Sequence, residues 1–259
     1  MRIIDLYRRS FGFIIALPLL AAVPFCAELL QHAVETSLGM FQAGVLTPQG
    51  QRWRALFGLI KLAGIVVIIL AAMRFWRFGG DRRRALRPNG RMALGLVAFV
   101  LLQLVEFAIA GLIKAGVERS IDLHAAPLGV RFAVLFGPTI VWTFVAGLWL
   151  PWLVAMLVDD PAMTLRRSLA AARGRLWAYF GLIVAGVVPL MTLHYVLAYG
   201  AIGRPPAVVW TLNIVDAAVV VVLSVCVASS FYGVYALAED VSSERRSSPR
   251  FRGEGDRAA

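Results

Sequence analysis

Six stretches of this chain, at about 11–31, 55–76, 92–113, 132–158, 176–199 and 208–237, are long, apolar and almost free of charge. A bilayer core about 30 Å thick takes about 20 helical residues to cross, and each run is long enough. None carries the alternating pattern, about ten residues long, of a transmembrane β-barrel strand. In lipid every backbone N–H and C=O must be satisfied internally, so the helix is the spanning structure that remains. The expected fold is therefore all-α: a polytopic membrane protein, a bundle of six transmembrane helices. Composition agrees, because 60% of the 259 residues are hydrophobic and only 16% charged, where soluble domains carry about 25% charged residues.

The net charge of +11 raises the question of nucleic acid, and the distribution of that charge answers against it. Arginines gather at the ends of the apolar runs, where they meet head groups and fix orientation. On one side lie the N-terminus, the "MRFWRFGGDRRRALRPNGR" linker, the segment before the fifth run and the tail, together holding 19 of the 26 basic residues. Arg52, Arg54, Lys61, Lys114, Arg119, Arg131 and Arg204 fall on the other side. Basic residues favour the cytoplasm, so both termini are expected there, in a bacterial inner membrane. The start, "MRIIDLYRRSFGFIIALPLLAAVPFCAELL", resembles a signal peptide, but its apolar part is long for a cleaved one and "CAELL" is a poor cleavage site. It reads as a retained first span. Residues 1–240 are then the transmembrane domain. The Ser-, Arg- and Gly-rich stretch 241–259 is expected to be a disordered basic cytoplasmic tail.

Before the fifth run comes "DDPAMTLRRSLAAARGRLWAYFGLIV". Asp160 followed by Pro161 reads as a helix start. Ala162, Leu165, Leu169, Ala172 and Leu176 then recur at helical spacing, with Arg166, Arg167, Arg173 and Arg175 away from that face. This is the pattern of a short basic amphipathic helix lying in the head-group layer, with Trp177 as an interfacial anchor. Anionic head groups are the expected contact of these four arginines and Trp177. A similar basic-then-apolar plan, "YRRSFG", opens the chain at Tyr7 to Gly12.

The D-P-x-x-x-x-R-R-S…R-G-R-x-W-x-x-x-G pattern from Asp160 to Gly181, with Tyr7 to Gly12, resembles a bacterial group. That group comprises the membrane domain attached to some glycerophosphodiester phosphodiesterases and related stand-alone inner-membrane proteins. In those enzymes the chemistry belongs to a separate soluble barrel, so the resemblance implies a membrane module and carries over no catalytic residue.

Ionisable groups within spans are costly and are functional candidates by default. Here they are Glu28, Lys61, Glu106, Lys114 and Asp216, with Gln103, His194 and Asn213 as neutral companions. Spacing puts Gln103 and Glu106 on one face of the third run, and Asn213 and Asp216 on one face of the sixth. Lys61 is the natural partner of Glu106 or Asp216, which would give a polar centre of Lys61, Gln103, Glu106, Asn213 and Asp216 opening outward. His32 and His124 fall in outer loops and read as surface residues. Neither HExxH nor GxSxG occurs, and the two cysteines show no metal-type spacing. No catalytic residue, cofactor or metal is expected. The leading expectation is a non-catalytic membrane protein that organises lipid or protein partners, without nucleic acid. The alternative is a small-solute transporter or channel built on the polar centre.

Overall fold

The computed structural model describes residues 3–44, 47–122 and 126–247, and every regular element among them is a helix. In chain order these are α1 (Ile3–Ala16), α2 (Pro18–Ser37), α3 (Met40–Ala43), α4 (Pro48–Arg77), α5 (Arg82–Leu86) and α6 (Gly90–Glu118). They are followed by α7 (Leu128–Ala146), α8 (Leu150–Leu157), α9 (Leu165–Ala172), α10 (Leu176–Gly200) and α11 (Pro206–Ser247). Five of them, α4, α6, α7, α10 and α11, are long and apolar enough to cross a membrane. The number is six if α1 and α2, which meet at 98°, count as one broken span.

Two of the apolar runs are thus not straight helices. The first breaks at Pro18, whose ring removes the N–H that would have continued the helix and crowds the preceding turn. The fourth run divides between α7 and α8, with Pro151 in the first turn of the second piece, where its missing N–H costs nothing. Pro24 and Pro189, by contrast, are carried inside continuous helices. At the other end of the chain α11 reaches Ser247, past the expected end of the span. The rest of the tail, 248–259, lies outside the described residues.

The chain divides into two compact units, Met1–Arg87 with Leu182–Gly233 and Pro88–Gly181 with Val234–Ala259. In the first, α1 buries Leu6, Ser10 and Phe13, one face at steps of four and three. Phe13 meets Phe75 and Trp76 edge-on, and the Arg9 guanidinium lies over the rings of Trp76 and Tyr232. The Tyr7 hydroxyl donates to the Ala185 carbonyl at 2.8 Å, tying α1 to α10. Gly186 permits the close approach of α10 and α11. A Cβ there would run into Ser230 Oγ and lie 3.0 Å from the Cys226 carbonyl oxygen. On α4, the buried Arg74 donates to the carbonyls of Ala85, Arg84 and Arg87, which folds the arginine-rich linker back as α5.

In the second unit α6 packs on α7 and α8, and α8 is buried along most of its length. The helix expected to start at Asp160 starts instead at Leu165, capped by Thr164, whose side chain accepts from the Arg167 N–H. Asp160 is buried and accepts from the Ala162 N–H at 2.9 Å and the Tyr235 hydroxyl at 2.7 Å. The acid holds a turn in place rather than capping α9. That helix turns Ser168, Ala171 and Ala172 inward and leaves Leu165 and Leu169 exposed.

Candidate functional site

Buried ionisable side chains gather in the first unit, on α2. In "ELLQHAVE" the residues Glu28, Gln31, His32 and Glu35 recur at i, i+3, i+4 and i+7, which stacks them on one face of the helix. All four are buried, with Glu28 fully so. Three other helices supply partners. Arg54 and Lys61 come from α4, seven residues apart and therefore also on one face, His194 from α10 and Asp216 from α11.

His32 is the centre of the arrangement. Its Nδ1 lies 3.2 Å from Glu35 Oε2, and its Nε2 lies 3.0 Å from Asp216 Oδ2 and 3.4 Å from Glu28 Oε1. Asp216 turns its second oxygen to His194, with Nδ1 at 2.7 Å. Glu35 is fixed from two further directions. Arg54 Nε donates to its Oε1 at 2.7 Å and the Gln31 amide donates to the same oxygen at 2.9 Å. Glu28 pairs with Lys61, whose Nζ lies 3.1 Å from Oε2. Three carboxylates, two fixed cations and two imidazoles therefore form one connected network across four helices. A charge taken out of water is tolerable in a low-dielectric interior only when it is paired in this way.

A cavity of about 190 Å³ opens on this network. Its polar wall is made of Glu28, Gln31, His32, Glu35, Arg54, Lys61 and His194. Tyr195, Ala198, Tyr199, Phe41 and Ile202 are among its other lining residues. An adjoining depression of about 300 Å³, also bounded by Gln31, Arg54 and Lys61, continues along α4 past Ala55 and Gly58. Local chain geometry places the α3 residues of the lining. Gly39 and Gly44 take φ of 75° and 69° on either side of α3, conformations open to glycine without strain. The turn they allow seats Phe41 against Ala201 and Val209. The Gly203 N–H then donates to the Phe41 carbonyl at 2.7 Å.

Comparison with family models, with curated proteins and with solved structures returns no match. What the site can do rests on its own geometry.

Of the residues expected to form a polar centre, Lys61 and Asp216 belong to this network. Lys61 takes Glu28 as its partner in place of Glu106 or Asp216, because Glu28 on α2 presents its carboxylate directly to α4. Asn213, one turn before Asp216, is buried, and neither polar atom of its side chain has a hydrogen-bond partner among the described residues. Gln103 and Glu106 fall in the second unit and form a pair of their own, Gln103 Nε2 donating to Glu106 Oε2 at 3.2 Å. His32, expected on the surface of an outer loop, is instead buried in the site, beside Glu28, Glu35 and Asp216. The reading that ended the first span at residue 31 cut α2 short by six residues. His124 lies outside the described residues. In the head-group set, Arg166, Arg167, Arg173, Arg175 and Trp177 are all exposed, and the Trp177 ring rests against Phe144 and Phe180.

Proposed function

We propose that this is a six-span protein of a bacterial inner membrane, with both termini cytoplasmic, that takes a small hydrophilic solute into a chamber among its spanning helices and passes it onward. The observation that carries this reading is the cavity bounded by Glu28, His32, Glu35, Arg54, Lys61 and His194. A module that only organises lipid or partners has no use for buried charge facing a cavity, because apolar packing would serve it better. Ionisable groups on membrane helices that border a cavity are the usual mark of a solute or ion path. Arg54 and Lys61 are partly exposed and are shared with the adjoining depression, which supports entry along α4. The predominance of basic residues in the α4–α6 linker and before α10 supports an outward-facing chamber. In this reading the bent pair α1–α2 supplies the sixth span. The exposed arginines 166, 167, 173 and 175, with Trp177, rest in the anionic head-group layer. The resemblance to the membrane domain of the glycerophosphodiester phosphodiesterases fits the same bacterial setting.

Solvent access tests the proposal. In a background with Cys26 and Cys226 replaced by Ala, single cysteines are placed at Ala198, on the chamber wall, and at Arg82, in the linker. A membrane-impermeant maleimide added to intact spheroplasts should label Ala198→Cys at once and Arg82→Cys only after permeabilisation. A silent Ala198→Cys, even after permeabilisation, would mean a closed bundle and would end the transport reading. Labelling of Arg82→Cys from outside would invert the orientation.

A further inference from the structure

The arrangement around His32 defines the chemistry of what the chamber holds. A neutral imidazole has one N–H and one lone pair, and a carboxylate only accepts. Yet both ring nitrogens of His32 face carboxylates, Nδ1 towards Glu35 and Nε2 towards Glu28 and Asp216. With the N–H on Nδ1 given to Glu35, the Nε2 lone pair points at two anionic oxygens. Such a contact is repulsive unless a positive centre stands between them. The wider charge count agrees, since three carboxylates face only two fixed cations, Arg54 and Lys61.

We propose that Glu28 Oε1, His32 Nε2 and Asp216 Oδ2 form a binding site for one divalent transition-metal ion, of the zinc or manganese class. The three side chains present ligand atoms that lie within 4.8 Å of one another. An ion with bonds of about 2.1 Å places neighbouring ligand atoms about 3.0–3.5 Å apart, and two of the three edges measure 3.0 and 3.4 Å. The surroundings are those of a metal site as well. Glu35 accepts from the ring nitrogen of His32 that faces away from the ion, the carboxylate–histidine–metal relay that fixes a ligand's tautomer. His194 holds the outer oxygen of Asp216 in the same manner, and Arg54 and Gln31 hold Glu35. Lys61 occupies Glu28 when no metal is bound, and its side chain, 20% exposed, can withdraw to solvent when the ion arrives. A second observation points independently to a ligand: Gln31 Oε1, on the cavity wall and 94% buried with its residue, has no hydrogen-bond partner among the described residues. One imidazole with two carboxylates suits zinc, manganese or ferrous iron over magnesium or calcium, which prefer all-oxygen sites.

This identity for the solute deepens the transport reading and rests on it for its biological meaning, but the site itself is tested without transport. Purified full-length protein in detergent is titrated with Zn²⁺ by calorimetry, with Mg²⁺ and Ca²⁺ as contrasts. The expected result is one saturable Zn²⁺ site per chain, a Kd at least tenfold weaker in Glu28→Gln and in His32→Gln, and no comparable Mg²⁺ or Ca²⁺ binding. Should either variant fold poorly, the wild-type protein loaded with Mn²⁺ decides the matter. Electron spin-echo spectra should show one coordinated imidazole nitrogen, and pure oxygen ligation would overturn the assignment. Absence of saturable Zn²⁺ and Mn²⁺ binding in the wild-type protein would overturn it too, and would mean that the positive centre is a proton. That result would leave the solvent-accessible chamber standing. Conversely, a tight site beside an unlabelled Ala198→Cys would keep the metal and remove the passage.

Discussion

Asp216 on α11 and Glu106 on α6 are both acids inside long apolar helices, and their surroundings differ in kind. Asp216 is fully buried between two histidines, in a network that continues to Glu28, Glu35, Arg54 and Lys61. Glu106 pairs with a neutral amide, Gln103, and borders a cavity of about 450 Å³ lined otherwise by Ile109, Ile113, Val141, Trp142 and other apolar or small residues. The cavity with the larger volume is thus the chemically poorer one. The contrast shows what complete burial of a carboxylate among membrane helices requires: several partners on several helices, fixed by one another. Where the partners are only neutral, as the Gln103 amide and the Thr139 hydroxyl are at Glu106, the acid stays half-buried.

The contrast breaks most visibly on removal of each acid. Asp216→Leu leaves His32 and His194 without their shared acceptor and unbalances the whole network. A loss of about 3–5 kcal/mol is expected, the cost of breaking a buried ionic set by deleting one member. Glu106→Leu deletes a carboxyl whose neighbours are mostly apolar and should change stability by about 1 kcal/mol or less. Reversible unfolding in mixed micelles with rising SDS measures both. Equal losses would mean that the two acids are held alike after all.

A smaller effect sharpens a contrast between two positions on one helix. Gly181 and Gly186 both lie on α10, and a Cβ at Gly181 would meet nothing within 4 Å, whereas at Gly186 it would strike Ser230. Gly186→Ala is expected to cost about 1–3 kcal/mol through forced separation of α10 and α11. Gly181→Ala should be neutral, or stabilising by a few tenths of a kcal/mol from helix propensity. The same unfolding assay reads both, and a harmless Gly186→Ala would show that the contact is not tight.

The difference between these regions also explains how far the sequence could be read. Five long apolar helices and the basic linkers were legible because hydropathy and arginine placement are properties of continuous segments. The division of the fourth run at Gly147 to Trp149 was less so, since Gly and Pro are tolerated inside spans as often as they end one. Lys61 and Asp216 stood out as single charges in apolar surroundings. His32 and Glu35 did not, because polar residues near the end of α2 lower the local hydropathy until the segment resembles a loop. The signal that separates the two cases is periodicity. Glu28, Gln31, His32 and Glu35 share one helical face, and a polar stripe of that spacing continues a helix where mean hydropathy ends it. What spacing could not supply was the pairing of helices, so Glu28 was not matched to Lys61.

A last contrast concerns a third acid, Asp160, and separates a single donor from a network. Asp160 is buried like Asp216; its carboxylate accepts from the Tyr235 hydroxyl and the Ala162 N–H, and its carbonyl accepts from the Arg91 guanidinium. The Tyr235 hydroxyl can be removed without deleting a charge, while the Ala162 N–H stays in any side-chain variant. Tyr235→Phe should therefore cost about 1.5 kcal/mol, the lower end of the range for one hydrogen bond to a charged group. The ring, fully buried, keeps its packing in the phenylalanine variant, so the measured loss isolates the hydroxyl. Comparing Tyr235→Phe with Asp216→Leu in the same micelles then ranks the loss of one neutral donor to a buried acid against the loss of an acid from the ionic network. A Tyr235→Phe loss as large as that of Asp216→Leu would show that depth of burial, and not the ionic network around His32, sets the cost of an acid in this protein.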